Sequence, residues 1–129
     1  MLQSRITPEF VTKLKPNEIF VFGSNLYGQH VGGAAAMAVD LFGAVWGQGT
    51  GLQGQSYAIP TMQGGAEDIR PYAEQFVAFA KEHPELDFLV TPVGCGIAGL
   101  KPEDVAPLFA DTANLPNVAL PKVFWECLY

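Results

Sequence analysis

Short apolar runs that end in glycine constrain the fold of this chain more than any other feature. Residues 19–22 (IFVF) are followed by Gly23, and residues 88–90 (FLV) lead into a second glycine-rich segment. A continuous apolar run of this length is typical of a strand buried on both faces of a mostly parallel sheet. Residues 56–59, closed by Pro60, and residues 118–120 predict two further strands.

Helical patterns alternate with these strands. After Gly32 and Gly33 the sequence predicts a helix that ends at Gly43, with one apolar face formed by Ala34, Met37, Ala38 and Leu41. A longer helix is predicted from Asp68 to His83. Its apolar face is formed by Ile69, Tyr72, Ala73, Phe76, Phe79 and Ala80, and Pro71 sits in its first turn.

Three other segments give weaker signals. Residues 7–14 predict a short helix, because Thr7 is a good N-cap and Pro8 suits the first helical position. Another helix is predicted from Pro102, kinked or shortened by Pro107. The aromatic tail, residues 124–129, is expected to pack against the body of the protein.

Strands that alternate with helices predict an α/β fold, with helices covering both faces of the sheet. The length of 129 residues suits one domain and is short for two. We therefore expect residues 1–129 to form a single three-layer α/β/α domain around a mostly parallel, mixed sheet. Ligands of such sheets bind beyond the carboxyl ends of the strands, which is where the glycine-rich segments fall.

Charge and composition narrow the partners and the compartment. A formal charge of −6 with scattered lysines and arginines argues against nucleic acid, which requires clustered cations. The apolar runs are too short to span a membrane. The first residues lack the pattern of a secretory signal, so a cytoplasmic location is expected. Cys95 and Cys127 are expected to be free, buried thiols.

Glycines are concentrated where charges are scarce. Between residues 19 and 65 the single formally charged side chain is Asp40, yet nine glycines lie there, with Gly64 and Gly65 closing the stretch. Glycine permits close approach of backbone to ligand, and a loop that enters a helix directs unpaired N–H groups to one point. The positive end of the helix dipole adds to this effect at Gly32, Gly33 and Ala34. The sequence thus predicts an anion site that needs no lysine.

Neutral amides and two reactive side chains accompany the glycines. Asn25, Gln29, Gln48, Gln53 and Gln55 suit ribose hydroxyls or a base edge. His30 lies within the first glycine-rich loop and is a candidate for a ligand contact or for proton transfer. Cys95, between Gly94 and Gly96, is a candidate nucleophile if His30 comes within reach.

Other site types fit poorly. The histidines and cysteines have no metal-ligand spacing, so no metal site is expected, nor any cofactor. Residues 23–28 lack the G-x-G-x-x-G spacing of dinucleotide-binding folds, and no Walker lysine follows.

Two segments resemble the ligand loops of macrodomains. Residues 22–35 (FGSNLYGQHVGGAA) are similar to the first loop, where a strand ends at an asparagine and glycines open a helix. Residues 94–99 (GCGIAG) are similar to the later loop of Gly-Ile-x-Gly form. Residues 46–60 (WGQGTGLQGQSYAIP) resemble a bacterial and phage subgroup of macrodomain-like proteins. The Gly-Asp-Ile segment with which many macrodomains grip adenine has no counterpart here.

The resemblance implies a macrodomain-like fold and a role for each loop. Asn25 would contact the distal ribose of ADP-ribose, with Gly32 and Gly33 at the same end of the ligand, and Gly96, Ile97, Ala98 and Gly99 would contact the diphosphate. Gly23, Ser24, Ala34, Gln48, Gly94 and Cys95 complete the expected ligand-binding set. Family members bind ADP-ribose, and some hydrolyse it from proteins, so the expected partner is an anionic nucleotide.

Three functions remain open from the sequence. The first is binding of ADP-ribose or a related nucleotide phosphate, with hydrolysis by a water placed by Asn25 and His30 as a further step. The second is a cysteine-dependent hydrolase of a small amide or ester that uses Cys95 and His30. The third is a non-catalytic interaction module that forms homo-oligomers through the aromatic tail, with Trp125 and Tyr129.

Overall fold

The computed structural model describes residues 5–96 and 98–128. Within them lies a sheet of five strands, and their order across the sheet is β2-β3-β1-β4-β5. The strands are β1 (Glu18–Ser24), β2 (Gly51–Gln53), β3 (Ser56–Pro60), β4 (Asp87–Val90) and β5 (Val118–Ala119). Strand β1 pairs in parallel with both β3 and β4, β4 pairs in parallel with β5, and β2 pairs antiparallel with β3. The α/β fold with a mixed sheet is confirmed.

Helices connect the strands and follow the last of them. They are α1 (Gly33–Phe42), α2 (Arg70–Glu82), α3 (Pro102–Val105) and α4 (Lys122–Leu128). Two 3₁₀ segments, Ala66–Asp68 and Ala106–Asn114, precede α2 and follow α3. The change from α to 3₁₀ geometry comes just before Pro107, where the sequence predicts a kink.

Two hydrophobic clusters lie on opposite faces of the sheet. Along β1, Ile19 and Val21 belong to a cluster that also contains Phe76 of α2. Phe20 and Phe22 belong to the other cluster, together with Phe42 of α1. Successive residues of a strand point to opposite faces, so an unbroken apolar run is what a strand covered on both sides requires.

The helix predicted over residues 7–14 is wrong. Ile6 instead forms a parallel bridge with Leu120, and the backbone N–H of Thr7 donates to the Leu120 carbonyl at 2.9 Å. Val11 is buried in the cluster beneath α1. Pairing beside β5 and burial of Val11 hold this segment in an irregular, non-helical path, which overrides the local helix signal of Thr7 and Pro8.

The buried face of α1 is also displaced from the prediction. Ala35, Ala38 and Phe42 are buried, whereas Leu41 is 55% exposed. The ring of Phe42 packs at 4.9 Å from that of Phe20, and this aromatic contact fixes the rotation of the helix. The ends of α1 agree with the prediction, since Gly32 is the N-cap and Gly43 the left-handed C-cap, with φ of 78°.

The aromatic tail packs against the body, as predicted, but as the helix α4. Phe124 is fully buried, and Trp125 is only 2% exposed and donates from Nε1 to the Arg5 carbonyl at 2.9 Å. Trp125 is therefore committed to the core of its own chain and offers no surface for self-association. Tyr129 lies outside the described residues.

Candidate functional site

A cavity lies where three parallel strands end. The register pairs Ser24 with Pro60, and Val21 with Val90, so the carboxyl ends of β1, β3 and β4 lie at the same end of the sheet. A cavity of about 470 Å³ opens there, and both predicted glycine-rich loops line it. This is the end of the sheet at which parallel α/β sheets bind ligands.

Most of the predicted ligand-binding residues line this cavity. They are Gly23, Ser24, Asn25, Gly32, Gly33, Ala34, Gly94, Cys95, Gly96 and Ala98. His30, Gln48 and Gly99 are not among the lining residues. Ile97 lies outside the described residues.

Helix α1 begins at the cavity wall without a side-chain cap. Its N-cap Gly32 has an extended backbone and no side-chain oxygen to accept from the first turn. The first backbone bond into the helix joins the Ala36 N–H to the Gly32 carbonyl at 3.3 Å. Gly33, Ala34 and Ala35 line the cavity, and the first N–H groups of a helix have no acceptor within it. The helix thus presents donors and a partial positive charge to the cavity.

Asn25 organises the loop between β1 and α1. Its side-chain amide donates to the Gln29 carbonyl at 3.0 Å and accepts from the Gln29 N–H at 2.9 Å. Both ends of the amide are thereby engaged with one residue of the same loop. A carbonyl oxygen has two lone pairs and an NH₂ group two hydrogens, so the Asn25 amide retains capacity for a ligand.

Several central glycines serve backbone packing and not the cavity. A Cβ at Gly28 would lie 2.3 Å from the Gln48 nitrogen, and a Cβ at Gly49 would lie 2.3 Å from the Asn25 carbonyl oxygen. Ser24 is buried, and its Oγ donates to the Gly49 carbonyl. The first glycine-rich loop therefore packs directly on the segment around residue 48. This segment, called the supporting segment below, lies on the side of the loop away from the cavity.

Gln48 acts within this supporting segment. Its Nε2 donates to the carbonyls of Thr50 and Leu52, each at 3.1 Å. Leu52 lies in β2, one of the two edge strands of the described sheet, where unpaired backbone groups otherwise favour pairing with another chain. The structure thus gives Gln48 a role in covering the sheet edge, away from the cavity.

His30 is a buried link between the same two segments. It is 3% exposed, and its Nε2 lies 3.0 Å from the Val45 carbonyl and 3.1 Å from the Gln48 carbonyl. With two carbonyl acceptors, Nε2 must carry the proton and donate. The ring meets Phe22 edge-on at 5.3 Å. These contacts hold the imidazole within the protein scaffold, outside the cavity lining. The position of His30 therefore gives no support for proton transfer in the cavity.

The second glycine-rich loop forms the opposite wall. Gly94 is buried with φ of 78°, and its carbonyl accepts from the Leu100 N–H at 2.8 Å. A Cβ at Gly96 or at Gly99 would meet no atom within 4 Å. Gly94 is thus constrained by the fold, whereas Gly96 leaves open space at the cavity, which suits close approach of a ligand.

Cys95 faces the cavity as a protonated thiol. Burial raises the pKa of the thiol above its ordinary value, and the nearby Cys127 and Glu103 raise it further. Its Sγ lies 3.6 Å from the Val93 carbonyl, as a weak donor. Both cysteines are free, but Cys95 is only half-buried and Cys127 is exposed, so the expectation of two buried thiols is wrong. A nucleophilic thiolate requires a lowered pKa, which this environment opposes.

Alkylation should therefore distinguish the two cysteines. We expect iodoacetamide at neutral pH to modify Cys127 first, and Cys95 several times more slowly, with a Cys95 rate that increases with pH because only the thiolate reacts. Mass spectrometry of peptides over a time course measures both rates in one sample, and Cys127 serves as the internal control. Preferential modification of Cys95 at neutral pH would instead revive the cysteine-dependent hydrolase.

Gln29, one of the neutral amides that the sequence singled out, also lines the cavity. Several further lining residues were not predicted. They are Val31, Ala35, Thr61, Met62, Thr91, Pro92 and Val93. Thr61 and Thr91 directly follow β3 and β4, and their N–H groups donate to the carbonyls of Ser24 and Val21. Their position one residue beyond a predicted strand is the signal that could have found them, because strand ends converge at one end of the sheet.

A second cavity, of about 530 Å³, lies at the amino ends of the strands. Glu18 and Asp87, the first residues of β1 and β4, line it together with the segment around Phe10. The two cavities are similar in volume, but this one lies at the amino ends of the strands and away from both glycine-rich loops. We therefore take the cavity at the carboxyl ends as the candidate site.

The wall of the candidate site is electrically neutral. Among the described residues that line it, every side chain is uncharged. No group of three or more His, Cys, Asp or Glu side chains in residues 5–96 and 98–128 could hold a metal ion. Nor does any helix in these ranges have the length and apolar character needed to cross a membrane.

Comparisons with known proteins add no further observation about this site. The chain matches no protein-family model, no curated protein and no solved structure.

Proposed function

We propose that the protein binds ADP-ribose, or a closely related nucleotide phosphate, in the cavity at the carboxyl ends of β1, β3 and β4. The observation that supports this most is the meeting of two glycine-rich loops and the uncapped start of α1 around one cavity of about 470 Å³. Backbone N–H groups at a helix N-terminus are a recurrent way to hold phosphate without lysine or arginine.

The rest of the wall suits the sugar of such a ligand. Asn25, Thr61 and Thr91 bring neutral amide and hydroxyl groups to the cavity, and Val31 and Met62 add apolar surface at its rim. Nucleotide sites combine apolar walls with a few placed polar groups in this way. The proposal is for binding. Hydrolysis by Asn25 and His30 gains no support, because His30 is outside the cavity lining and its Nε2 is bonded to two carbonyls.

The start of α1 offers a direct test. Gly32→Asp is expected to weaken ADP-ribose binding more than tenfold, because a carboxylate would occupy the donors and repel the phosphates. The same change should stabilise the fold by roughly 0.3 kcal/mol, since aspartate is a slightly better N-cap than glycine. The Gly32 backbone, with φ of −161°, is open to any residue. Calorimetric titration measures the affinity, and thermal unfolding measures the stability.

Gly32→Asn is the matched control, because it has the size and the capping ability of aspartate without the charge. It should retain binding within about threefold, as only part of the donor capacity is taken. Two outcomes count against the proposal. One is absence of saturable binding of ADP-ribose by the unaltered protein at millimolar concentration, and the other is equal affinity of the two variants.

A further inference from the structure

We infer that the cavity selects its phosphate ligand by low charge: it favours a diphosphate esterified at both ends over the same nucleotide with a terminal phosphate. The inference rests on the proposed function, and it names the charge class of ligand that this site would take. It follows from the charges of the cavity wall, of the helix that meets it and of the whole chain.

The wall supplies no full positive charge among its described residues. The protein has seven lysines and arginines against thirteen acidic residues, and none of the seven is among the lining residues. Arg70, on the helix that follows Thr61 and Met62, is paired with Glu67 at 2.9 Å. A bound anion is therefore balanced by dipoles, not by a cation.

Dipoles of this kind compensate only a limited charge. The N-terminus of a helix is equivalent to roughly half a positive charge. A diphosphate esterified at both ends has one negative charge per phosphate, and a free terminal phosphate adds a further charge above a pKa of about 6. That additional charge would enter a neutral cavity in a chain whose net charge is −6. It finds no new partner and meets long-range repulsion.

Cys95 provides independent support from within the wall. Burial is the main cause that raises the pKa of its thiol, and the negative charge of Glu103 in α3 raises it further. The same surroundings act on any negative charge at this position. A ligand with less negative charge therefore has a smaller free-energy cost of entering the cavity.

Titration of one ligand separates charge from shape. ADP gains a proton on its terminal phosphate between about pH 8 and about pH 5, whereas the diphosphate of ADP-ribose does not titrate there. We expect the ratio of the ADP Kd to the ADP-ribose Kd to fall about fivefold over this range, because protonation removes the uncompensated charge. Dividing by the ADP-ribose Kd removes those titrations of the protein that change the affinity for both ligands equally. The ADP Kd, where binding is weak, is measured by displacement of bound ADP-ribose at high ADP concentration.

A substitution in the wall tests the same cause. Gln29 lines the cavity and is exposed, and the contacts that it makes with Asn25 use its backbone N–H and carbonyl. Gln29→Lys should bring a cation to the mouth and reduce the pH dependence of the ratio to less than about twofold. Gln29→Met, which is similar in length and uncharged, should leave the fivefold dependence intact.

The outcomes separate this inference from the proposed function. The charge selection is overturned if the Kd ratio stays constant or increases on acidification. It is also overturned if ADP fails to compete with ADP-ribose at both pH values. In either case, measured binding of ADP-ribose would leave the proposed function in place. Failure of ADP-ribose itself to bind overturns both.

Discussion

Replacing Phe124 by alanine is expected to lower the free energy of unfolding by about 3–5 kcal/mol, the usual cost of deleting a fully buried phenyl ring. Phe124 has no exposed surface, and its ring stacks on that of Phe109 at a centroid distance of 5.8 Å. Both rings belong to the cluster that covers one face of the sheet. The lost contacts would leave a cavity between α4 and the 3₁₀ segment Ala106–Asn114. Chemical denaturation followed by circular dichroism measures the change.

Val123→Ala is the matched control on the same helix. Val123 is 38% exposed, so its truncation should cost less than about 1 kcal/mol. Similar losses for the two variants would show that α4 does not pack as described. The pair also bears on the tail as an interface. If α4 served self-association instead of the core, Phe124→Ala would change the mass measured by sedimentation and leave the stability of the protomer intact.

The tail illustrates what local sequence patterns can and cannot reveal about the fold. Its aromatic residues correctly predicted packing against the body, because burial of an aromatic ring removes a large apolar surface from water. The helical form was not predicted, since seven residues give little periodicity. The opposite error occurred at residues 7–14, where a sound capping signal yielded to pairing with Leu120 at the far end of the chain. Contacts between distant segments are absent from any local pattern.

Strand β2 was missed for a related reason. It is three residues long and lies at the edge of the sheet, with Leu52 exposed. A recognisable signal was present, since Gly54, with φ of 61°, opens a two-residue connection to β3, and glycine at that position is typical of tight hairpins. No element was predicted between Gly43 and residue 56, and this turn signal was not used.

The candidate site was predicted better by position than by residue type. Parallel strands bring their carboxyl ends together, so loops after β1 and β4 could be expected to meet without any knowledge of side chains. Residue type misled at His30 and Gln48, because the Nε2 atom of each is engaged with backbone carbonyls of the supporting segment. A glycine that contacts a ligand and a glycine that contacts another backbone are indistinguishable in sequence. Only the structure separates Gly32, at the cavity, from Gly49 behind it.

The role of Gly49 leads to the second large effect. Gly49→Ala is expected to destabilise the protein by about 3 kcal/mol, at the upper end of overpacking costs, because the new methyl group has no room. Its Cβ would lie 2.3 Å from the Asn25 carbonyl oxygen and 2.6 Å from that of Leu26. Both obstacles are backbone atoms, which cannot turn away as a side chain can. The loop that contains Asn25 would have to move, so ADP-ribose affinity should fall as well, by about tenfold or more.

Gly65→Ala separates this collision from the ordinary effect of replacing glycine. Gly65 is exposed, its φ is −96°, and a Cβ there would meet no atom within 4 Å. Alanine restricts the unfolded chain but is a poorer N-cap than glycine for the segment Ala66–Asp68, so the two effects oppose each other. The stability should change by less than about 1 kcal/mol, with affinity for ADP-ribose intact. Urea denaturation and calorimetry on both variants measure the two quantities. If Gly49→Ala behaved like Gly65→Ala, the first loop would not rest on the segment around residue 48, and the cavity would lack the support described for it.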